Sequence, residues 1–117
     1  MGARSTTNEF VDCCSPLNGE PLSGEAATEL AGVLKAIAEP TRLRLLSLIA
    51  AHADGEACVC DLSAPIELTQ PTVSHHLKVL RDAGLVTSER RGTWVYYKTV
   101  PQRLAALSQL LAVPTPV

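Results

Sequence analysis

The stretch "LTQPTVSHHLKVLRDAGLV", residues 68–86, contains the signals of a complete capped helix. Thr69 is a good N-cap residue, and Pro71 is tolerated in the first turn of a helix. Apolar residues recur at i, i+4 and i+7 on one face, namely Val73, Leu77 and Leu80. Gly84 stands where a glycine in the left-handed conformation would end the helix. The stretch therefore predicts a helix over residues 70–83 with one buried face.

The opposite face of this predicted helix is polar. At 100° per residue, the outward residues are Pro71, His75, Lys78 and Asp82, flanked by Thr72 and Ser74. His76 turns back toward the apolar side, where we expect it to be packed or hydrogen-bonded. A polar outer face of this kind is typical of a solvated surface or of a helix that binds a polar partner.

Two helices and a short third one are predicted upstream of this stretch. Between residues 23 and 38, apolar side chains follow the i, i+3, i+4, i+7 spacing of an amphipathic helix. Pro40 suits the first turn of a second helix, which ends near the polar turn "HADGE". Its apolar residues are too many for one stripe: Leu43, Leu45, Leu46, Leu48 and Ile49. We expect this helix to be central and heavily buried, with His52 near its end in solvent. A short helix over residues 59–64, broken at Pro65, follows.

Downstream of Gly84 the pattern changes to strands. Residues 86–91 and 93–99 flank Gly92, and the second run is rich in β-branched and aromatic residues, which predicts a β-hairpin. Trp94 and Tyr96 share one face of the second strand and are expected in the core beneath it. A last helix opens at Pro101, and its apolar stripe suits packing against another subunit.

The order of these elements defines a fold class. A short helix, a turn and a capped helix form a helix-turn-helix, and a basic β-hairpin follows it. We therefore expect a mainly α protein with a β-hairpin (α+β), a winged helix-turn-helix. Residues 1–22 have no period and are predicted to be a flexible arm, which leaves residues 23–113 as the domain.

Composition excludes several classes of protein. The chain has 117 residues, enough for one domain, and 46% of them are apolar, enough for a core. It contains no apolar run near the ~20 residues of a membrane span, and its first residues lack the apolar stretch of a signal peptide. We therefore expect a cytoplasmic protein without a membrane partner. No phosphate loop, Ser-His-Asp set or paired-carboxylate motif stands out, so an enzyme is not expected.

The net charge of −2 hides an uneven distribution. Residues 1–69 contain four Lys or Arg and ten Asp or Glu, a net charge of −6. Residues 70–117 contain six basic and two acidic side chains, a net charge of +4. A local basic patch is what binds phosphate, so the second half of the chain is a candidate for contact with nucleic acid.

Four stretches together resemble the ArsR/SmtB family of metal-responsive transcriptional repressors. They are "LKAIAEPTRLRLLSLI", "ACVCDLS", "TQPTVSHHLKVLRDAGLV" and "RRGTWVYYK", which occur in the family's order within residues 25–112. The resemblance implies a homodimer that binds operator DNA without any cofactor when it is free of metal. It also implies release of that DNA when a toxic ion is captured, and "CVCDL" resembles the thiol-sensing branch of the family.

The predicted helix and hairpin offer the side chains that read DNA. Short polar side chains reach base edges in the major groove, and Gln pairs with adenine. The candidates for base contacts are Gln70, Thr72, Ser74 and His75. The candidates for phosphate contacts are Lys78 and Arg81 on the helix and Arg90 and Arg91 at the hairpin tip. We therefore expect double-stranded operator DNA as a partner.

The cysteines form two clusters, Cys13–Cys14 and Cys58–Cys60. Residues at i and i+2 point to nearly opposite sides of a helix but to the same side of an extended segment. Cys58 and Cys60 therefore bind one ion together only if the helix there unwinds or has not yet begun. Otherwise only one of them is a ligand. Unwinding of the helix on ion binding is one hypothesis for a switch that weakens DNA binding.

Soft thiolates favour soft ions. The resemblance implies an intersubunit site that joins Cys13 and Cys14 to one or both of Cys58 and Cys60. As(III) or Sb(III) is the favoured inducer, with Cd(II) or Pb(II) as the alternative. Idle buried thiols, a redox switch with a disulfide between arm and helix, and a zinc-stapled interaction module remain open. The last helix lacks the Asp and His ligands of the family's zinc and nickel sites.

Overall fold

The computed structural model describes residues 21–112. The described residues belong to two compact units, one formed by residues 32–100 and the other containing residues 21–31 and 101–112. The predicted arm over residues 1–22, with Cys13 and Cys14, lies outside the described residues apart from Pro21 and Leu22.

The described residues form five α-helices and three β-strands in the predicted α+β order. In chain order these are α1 (Gly24–Ile37), α2 (Pro40–Ala51), β1 (Glu56–Cys58), α3 (Val59–Ile66), α4 (Gln70–Asp82), β2 (Val86–Arg91), β3 (Trp94–Thr99) and α5 (Pro101–Leu111). A 3-10 turn, Ala53–Gly55, lies between α2 and β1. The helix predicted over residues 23–38 is one residue shorter at each end. At the first end, Ser23 accepts a hydrogen bond from the backbone N–H of Ala26 and so stands just outside α1.

Helix α2 lies at the centre of the unit formed by residues 32–100. It contacts α3, α4, β1 and β3, which confirms its central position. Leu45, Leu46 and Ile49 are buried, but Leu43 is 53% exposed. The expectation of a heavily buried helix therefore fails at Leu43, because this residue lies 200° around the helix from Leu45 and points away from the packed face.

Helix α3 continues past the predicted break at Pro65 and ends at Ile66. A proline in the last turn removes a single donor, and the buried side chain of Ile66 holds the turn against the core. Glu67 then adopts the left-handed conformation with φ 63°, and its N–H bonds back to the carbonyls of Ser63 and Ala64. The helix end is thus made by Glu67 and not by Pro65.

The strands form one antiparallel sheet in the order β1-β3-β2. The predicted hairpin is β2 and β3, which pair from Val86 opposite Thr99 to Arg91 opposite Trp94. Gly92 has φ 64° in the two-residue turn, as a hairpin turn with glycine first requires. Strand β1 was not predicted, and it pairs Ala57 with Tyr97 on the other edge of β3.

The core of the unit formed by residues 32–100 is apolar. Its least exposed side chains are Leu45, Ile49, Leu62, Val73, Leu77, Leu80, Leu85 and Val86. Within residues 21–112 no polar or charged side chain is buried. In the other unit, the buried residues are Leu30 of α1 and Ala106, Leu107 and Leu110 of α5. No helix in the described part of the chain is long and apolar enough to cross a bilayer.

Candidate DNA-reading surface and thiol site

Helix α4 is built as the sequence predicts. The Thr69 hydroxyl accepts a hydrogen bond from the N–H of Thr72 at 3.4 Å, so the predicted N-cap is confirmed. At the other end, Gly84 has φ 80° and donates to the carbonyl of Arg81, while Leu85 donates to the carbonyl of Leu80. These two bonds form a Schellman motif. The predicted face of Val73, Leu77 and Leu80 is fully buried.

The opposite face of α4 is exposed along its whole length. The exposed residues include every candidate for DNA contact on this helix: Gln70, Thr72, Ser74, His75, Lys78 and Arg81. The Thr72 hydroxyl lies 3.0 Å from the Thr69 hydroxyl, so it is shared with the cap. Arg81 lies 3.8 Å from Asp82, in an exposed pair that leaves its charge accessible. Contact of these residues with DNA stays a prediction.

Two of the histidines have defined partners. The Arg42 guanidinium lies 3.3 Å from Nδ1 of His76, and because arginine only donates, this nitrogen is the acceptor. Arg42 also donates to the carbonyl of Ala36 at 2.6 Å, so it links α1, α2 and α4. The expectation of a hydrogen-bonded His76 is confirmed. His52 is half-buried rather than in solvent, because its Nδ1 donates to the Leu48 carbonyl at 2.8 Å.

The two arginines of the hairpin differ in their surroundings. The Arg91 guanidinium pairs with Glu56 of β1 and with Glu89 of β2, the latter at 2.8 Å, and its Cζ lies 4.4 Å from the centroid of the Tyr96 ring. The hydrogen bond to Glu89, followed in size by the one to Glu56, raises the pKa of Arg91 above its ordinary value. Arg90 is exposed and makes no ion pair with any residue of 21–112. Of the two arginines, Arg90 is therefore the one whose charge is not offset by a carboxylate within residues 21–112.

The aromatic residues of β3 do not lie as expected. Trp94 is 53% exposed, and Tyr96 is half-buried beneath Arg91. The buried aromatic residue is Tyr97, on the alternate face of the strand. The expectation that Trp94 and Tyr96 form the core was wrong, because the face that packs inward carries Val95 and Tyr97.

The thiols of Cys58 and Cys60 meet at the start of α3. Cys58 is the last residue of β1 and the N-cap of α3, with extended backbone angles of φ −77° and ψ 147°. Its Sγ accepts a hydrogen bond from the N–H of Cys60 at 3.3 Å and is joined to the Sγ of Cys60 as a disulfide. The helix begins at Val59, so both sulfurs point to one side without any unwinding. Two soft donors therefore converge at this point.

A cleft of about 200 Å³ opens beside the thiol pair. It is lined by residues of β1, α3, α4 and the hairpin: Cys58, Val59, Cys60, Gln70, Ser74, Thr93, Trp94, Val95 and Tyr97. Gln70 and Ser74 are predicted to read bases, and they line the same cleft as the two thiols. The candidate ion site and the candidate DNA-reading surface therefore adjoin.

Of the four cysteines predicted as ligands, the described residues contain only Cys58 and Cys60. Within residues 21–112 no cluster of three or more His, Cys, Asp or Glu side chains is placed to hold a metal ion. The other two predicted ligands, Cys13 and Cys14, lie outside the described residues. A complete three- or four-thiolate site therefore requires ligands beyond this cluster.

Two features of the site were not found from the sequence. Glu56 pairs with Arg91 over 35 positions of sequence separation, and no local pattern reports such a contact. Trp94 lines the cleft, although the sequence predicted this residue in the core. Three residues of β1 are too few to show an alternation, so the strand that positions Glu56 and Cys58 left no readable signal.

Comparison with known proteins gives the family. The family model described as bacterial regulatory protein, arsR family, matches residues 39–88. The arsenic resistance transcriptional regulator ArsR1 of Pseudomonas putida is 47% identical over 70 residues, which are 60% of this chain and 53% of that protein. The arsenical resistance operon repressor of Staphylococcus xylosus is 39% identical over 83 residues, which are 71% of this chain and 77% of that protein.

Solved structures agree with this assignment. The crystal structure of the AntR antimony-specific transcriptional repressor matches with a TM-score of 0.65 and 31% identity, over 79% of this chain and 82% of that chain. The homodimeric winged helix-turn-helix DNA-binding domain of a Mycobacterium bovis protein matches with a TM-score of 0.62 and 28% identity, over 77% and 84%. The fold is a winged helix-turn-helix, and the chain belongs to the arsR family of bacterial regulatory proteins.

Proposed function

We propose that this protein is a transcriptional repressor that binds operator DNA as a homodimer and releases it when As(III) or Sb(III) binds cysteine thiolates. The observation that carries this proposal is the thiol pair at the N-terminus of α3, beside the DNA-reading candidates of α4. One relative named as an arsenic resistance transcriptional regulator, another named as an arsenical resistance operon repressor, and a structural neighbour named as antimony-specific support the choice of ion.

The DNA-binding part of the proposal rests on two surfaces. The base-reading candidates of α4, which are Gln70, Thr72, Ser74 and His75, are all exposed. Lys78, Arg81, Arg90 and Arg91 supply the positive charge for phosphate contacts. No cofactor is needed for this binding. A homodimer would present two such surfaces to the two halves of an operator, and the homodimeric neighbour from Mycobacterium bovis supports that assembly.

The ion-binding part of the proposal assigns Cys58 and Cys60 as ligands, joined by Cys13 and Cys14 of the N-terminal arm. Thiolates suit soft ions, and the sulfurs of Cys58 and Cys60 lie side by side at the start of α3. Three thiolates fit the three bonds of As(III) or Sb(III), whereas a fourth would suit Cd(II) or Pb(II). The proposal places the protein in the cytoplasm, with no catalytic activity.

A second candidate is a thiol redox-sensing repressor. It is favoured by the disulfide between Cys58 and Cys60, two residues that are already adjacent at the base of the helix-turn-helix. A peroxide would convert the two thiols to that disulfide and yield two molecules of water. The pairing differs from the arm-to-helix disulfide expected from the sequence.

The test is a DNA-binding titration against a panel of inducers. Full-length reduced protein is bound to its own promoter DNA and then exposed to As(III), Sb(III), Cd(II), Pb(II), Zn(II) and peroxide. Release at the lowest concentrations by As(III) or Sb(III) is the expected result. Release only by Cd(II) or Pb(II) would move the assignment to those ions, and release by peroxide alone would support the redox candidate. No binding to the promoter would contradict the repressor proposal.

A further inference from the structure

The cleft beside the thiol pair brings together residues with two different predicted partners. Cys58 and Cys60 supply its sulfur atoms, while Gln70 and Ser74 supply polar groups from the exposed face of α4. At about 200 Å³, the cleft has room for more than a bare ion. An occupant of this cleft therefore contacts the surface that the proposed function assigns to DNA.

We infer that an ion held by Cys58 and Cys60 and a base edge read by Gln70 and Ser74 compete for the same space, so that effector and operator exclude each other directly. This inference rests on the proposed function and names how the site is regulated. It differs from a coupling between separate sites, in which a complex of protein, ion and DNA still forms.

When two thiols bind As(III), the arsenic atom keeps a third bond to another group, which lies in the cleft. When arsenous acid meets the two reduced thiols, two As–O bonds break and two As–S bonds form. The two thiol protons leave with the two hydroxyl groups as water. The remaining As–OH group, or a third thiolate that replaces it, then lies beside Gln70 and Ser74, whose side chains are no longer free to face a base.

The geometry of α3 removes the need for unwinding. Cys58 is extended and the helix begins only at Val59, so the two sulfurs are adjacent while α3 is intact. In the reduced protein we therefore expect this pair to bind an ion without unwinding of α3. Occlusion of Gln70 and Ser74 is then the direct route from ion binding to DNA release.

The first test is the shape of the competition curve. The apparent Kd of the full reduced chain for labelled operator DNA is measured at increasing arsenite by fluorescence anisotropy. Direct exclusion predicts that the apparent Kd for operator DNA keeps rising at least in proportion to the free arsenite concentration. The rise should exceed the ~5–150-fold shift that is typical of coupling between separate sites. A plateau would overturn the inference and leave the proposed function intact. No change in the apparent Kd would contradict the proposed function itself.

The second test compares two exposed neighbours on α4. Ser74 lines the cleft and His75 does not. In DNA-free protein, Ser74→Leu should block the cleft and weaken arsenite binding by about tenfold or more, whereas His75→Leu should leave it within about twofold, as measured by calorimetry. Both variants should retain the helical circular dichroism of the wild type, since both positions face solvent. Equal arsenite affinity for the two variants would overturn the inference.

Discussion

At the scale of single residues, Arg90 and Arg91 show how neighbours of the same type acquire different roles. Arg91 lies over Tyr96 and is held by two carboxylates, one of them from β1. Its guanidinium fixes the hairpin against the strand that ends at Cys58. Arg90 has no acidic partner within residues 21–112, so its charge is available to a phosphate.

This difference predicts separate effects on DNA binding. Arg90→Ala should weaken binding for all sequences and reduce the slope of log K against log salt by about 0.9, the value for one phosphate contact. Arg91→Ala should reduce that slope by less than half as much, because its charge is already offset by Glu56 and Glu89. Affinities at four or more salt concentrations measure both slopes. An equal loss of slope in the two variants would show that Arg91 neutralises phosphate as fully as Arg90 does, despite its two acidic partners.

Single residues also mark where sequence reasoning stopped. In β3 the aromatic residues alternate between faces, with Trp94 and Tyr96 on one and Tyr97 on the other, so the pattern alone does not say which face is buried. Whether the side chains of Cys58 and Cys60 face the same side depends on the residue at which α3 begins. Had α3 begun one turn earlier, Cys58 and Cys60 would have faced apart, and position 58 carries none of the Ser, Thr, Asn or Asp side chains that mark a helix start in a sequence.

At the scale of elements, the ends of α4 fix the surface that we propose faces DNA. The N-cap at Thr69 and the left-handed Gly84 set where the helix starts and stops, and three fully buried residues set its rotation. All of these signals lie within the 16 residues from Thr69 to Gly84, which is why this helix was predicted to within one residue. Strand β1 depends on pairing with β3, about 40 positions away, and local sequence carries no trace of it.

The Schellman glycine gives a test at this scale. Gly84→Ala forces an alanine into the left-handed region and should lower the free energy of unfolding by about 1–2 kcal/mol. The matched control is Gly32→Ala, in the interior of α1, where an added Cβ meets nothing within 4 Å. That change should raise the free energy of unfolding by about 0.5–1 kcal/mol. Urea unfolding followed by circular dichroism measures both, and a loss of stability at Gly32 would contradict this account.

At the scale of the whole molecule, the described core holds together without polar groups. Its buried side chains are apolar. Within residues 21–112, no buried side-chain nitrogen or oxygen lacks a hydrogen-bond partner. We therefore expect this core to fold without an ion, unlike a zinc-stapled module, whose folding free energy comes from the metal.

Removal of metal should therefore leave the fold unchanged. A loss of about 1 kcal/mol in the free energy of unfolding lowers the Tm of a domain of this size by about 4–8 °C. When the reduced protein is treated with EDTA, we expect the Tm to change by less than this. Thermal unfolding with and without the chelator measures it, and a sample reloaded with zinc serves as the control. Cooperative unfolding on chelation would identify a stapled module instead of a sensor.

The central claim is that the thiols at the start of α3 control release of DNA. Its most direct test is an arsenite titration of the operator complex for wild type and for the Cys58→Ser/Cys60→Ser variant. A serine hydroxyl at position 58 can still accept the hydrogen bond that caps α3, so the variant should keep its fold and its affinity for DNA. We predict that arsenite releases operator DNA from the wild-type protein, while the variant stays bound to DNA at the same arsenite concentrations. Release of the variant at the wild-type concentration would contradict it.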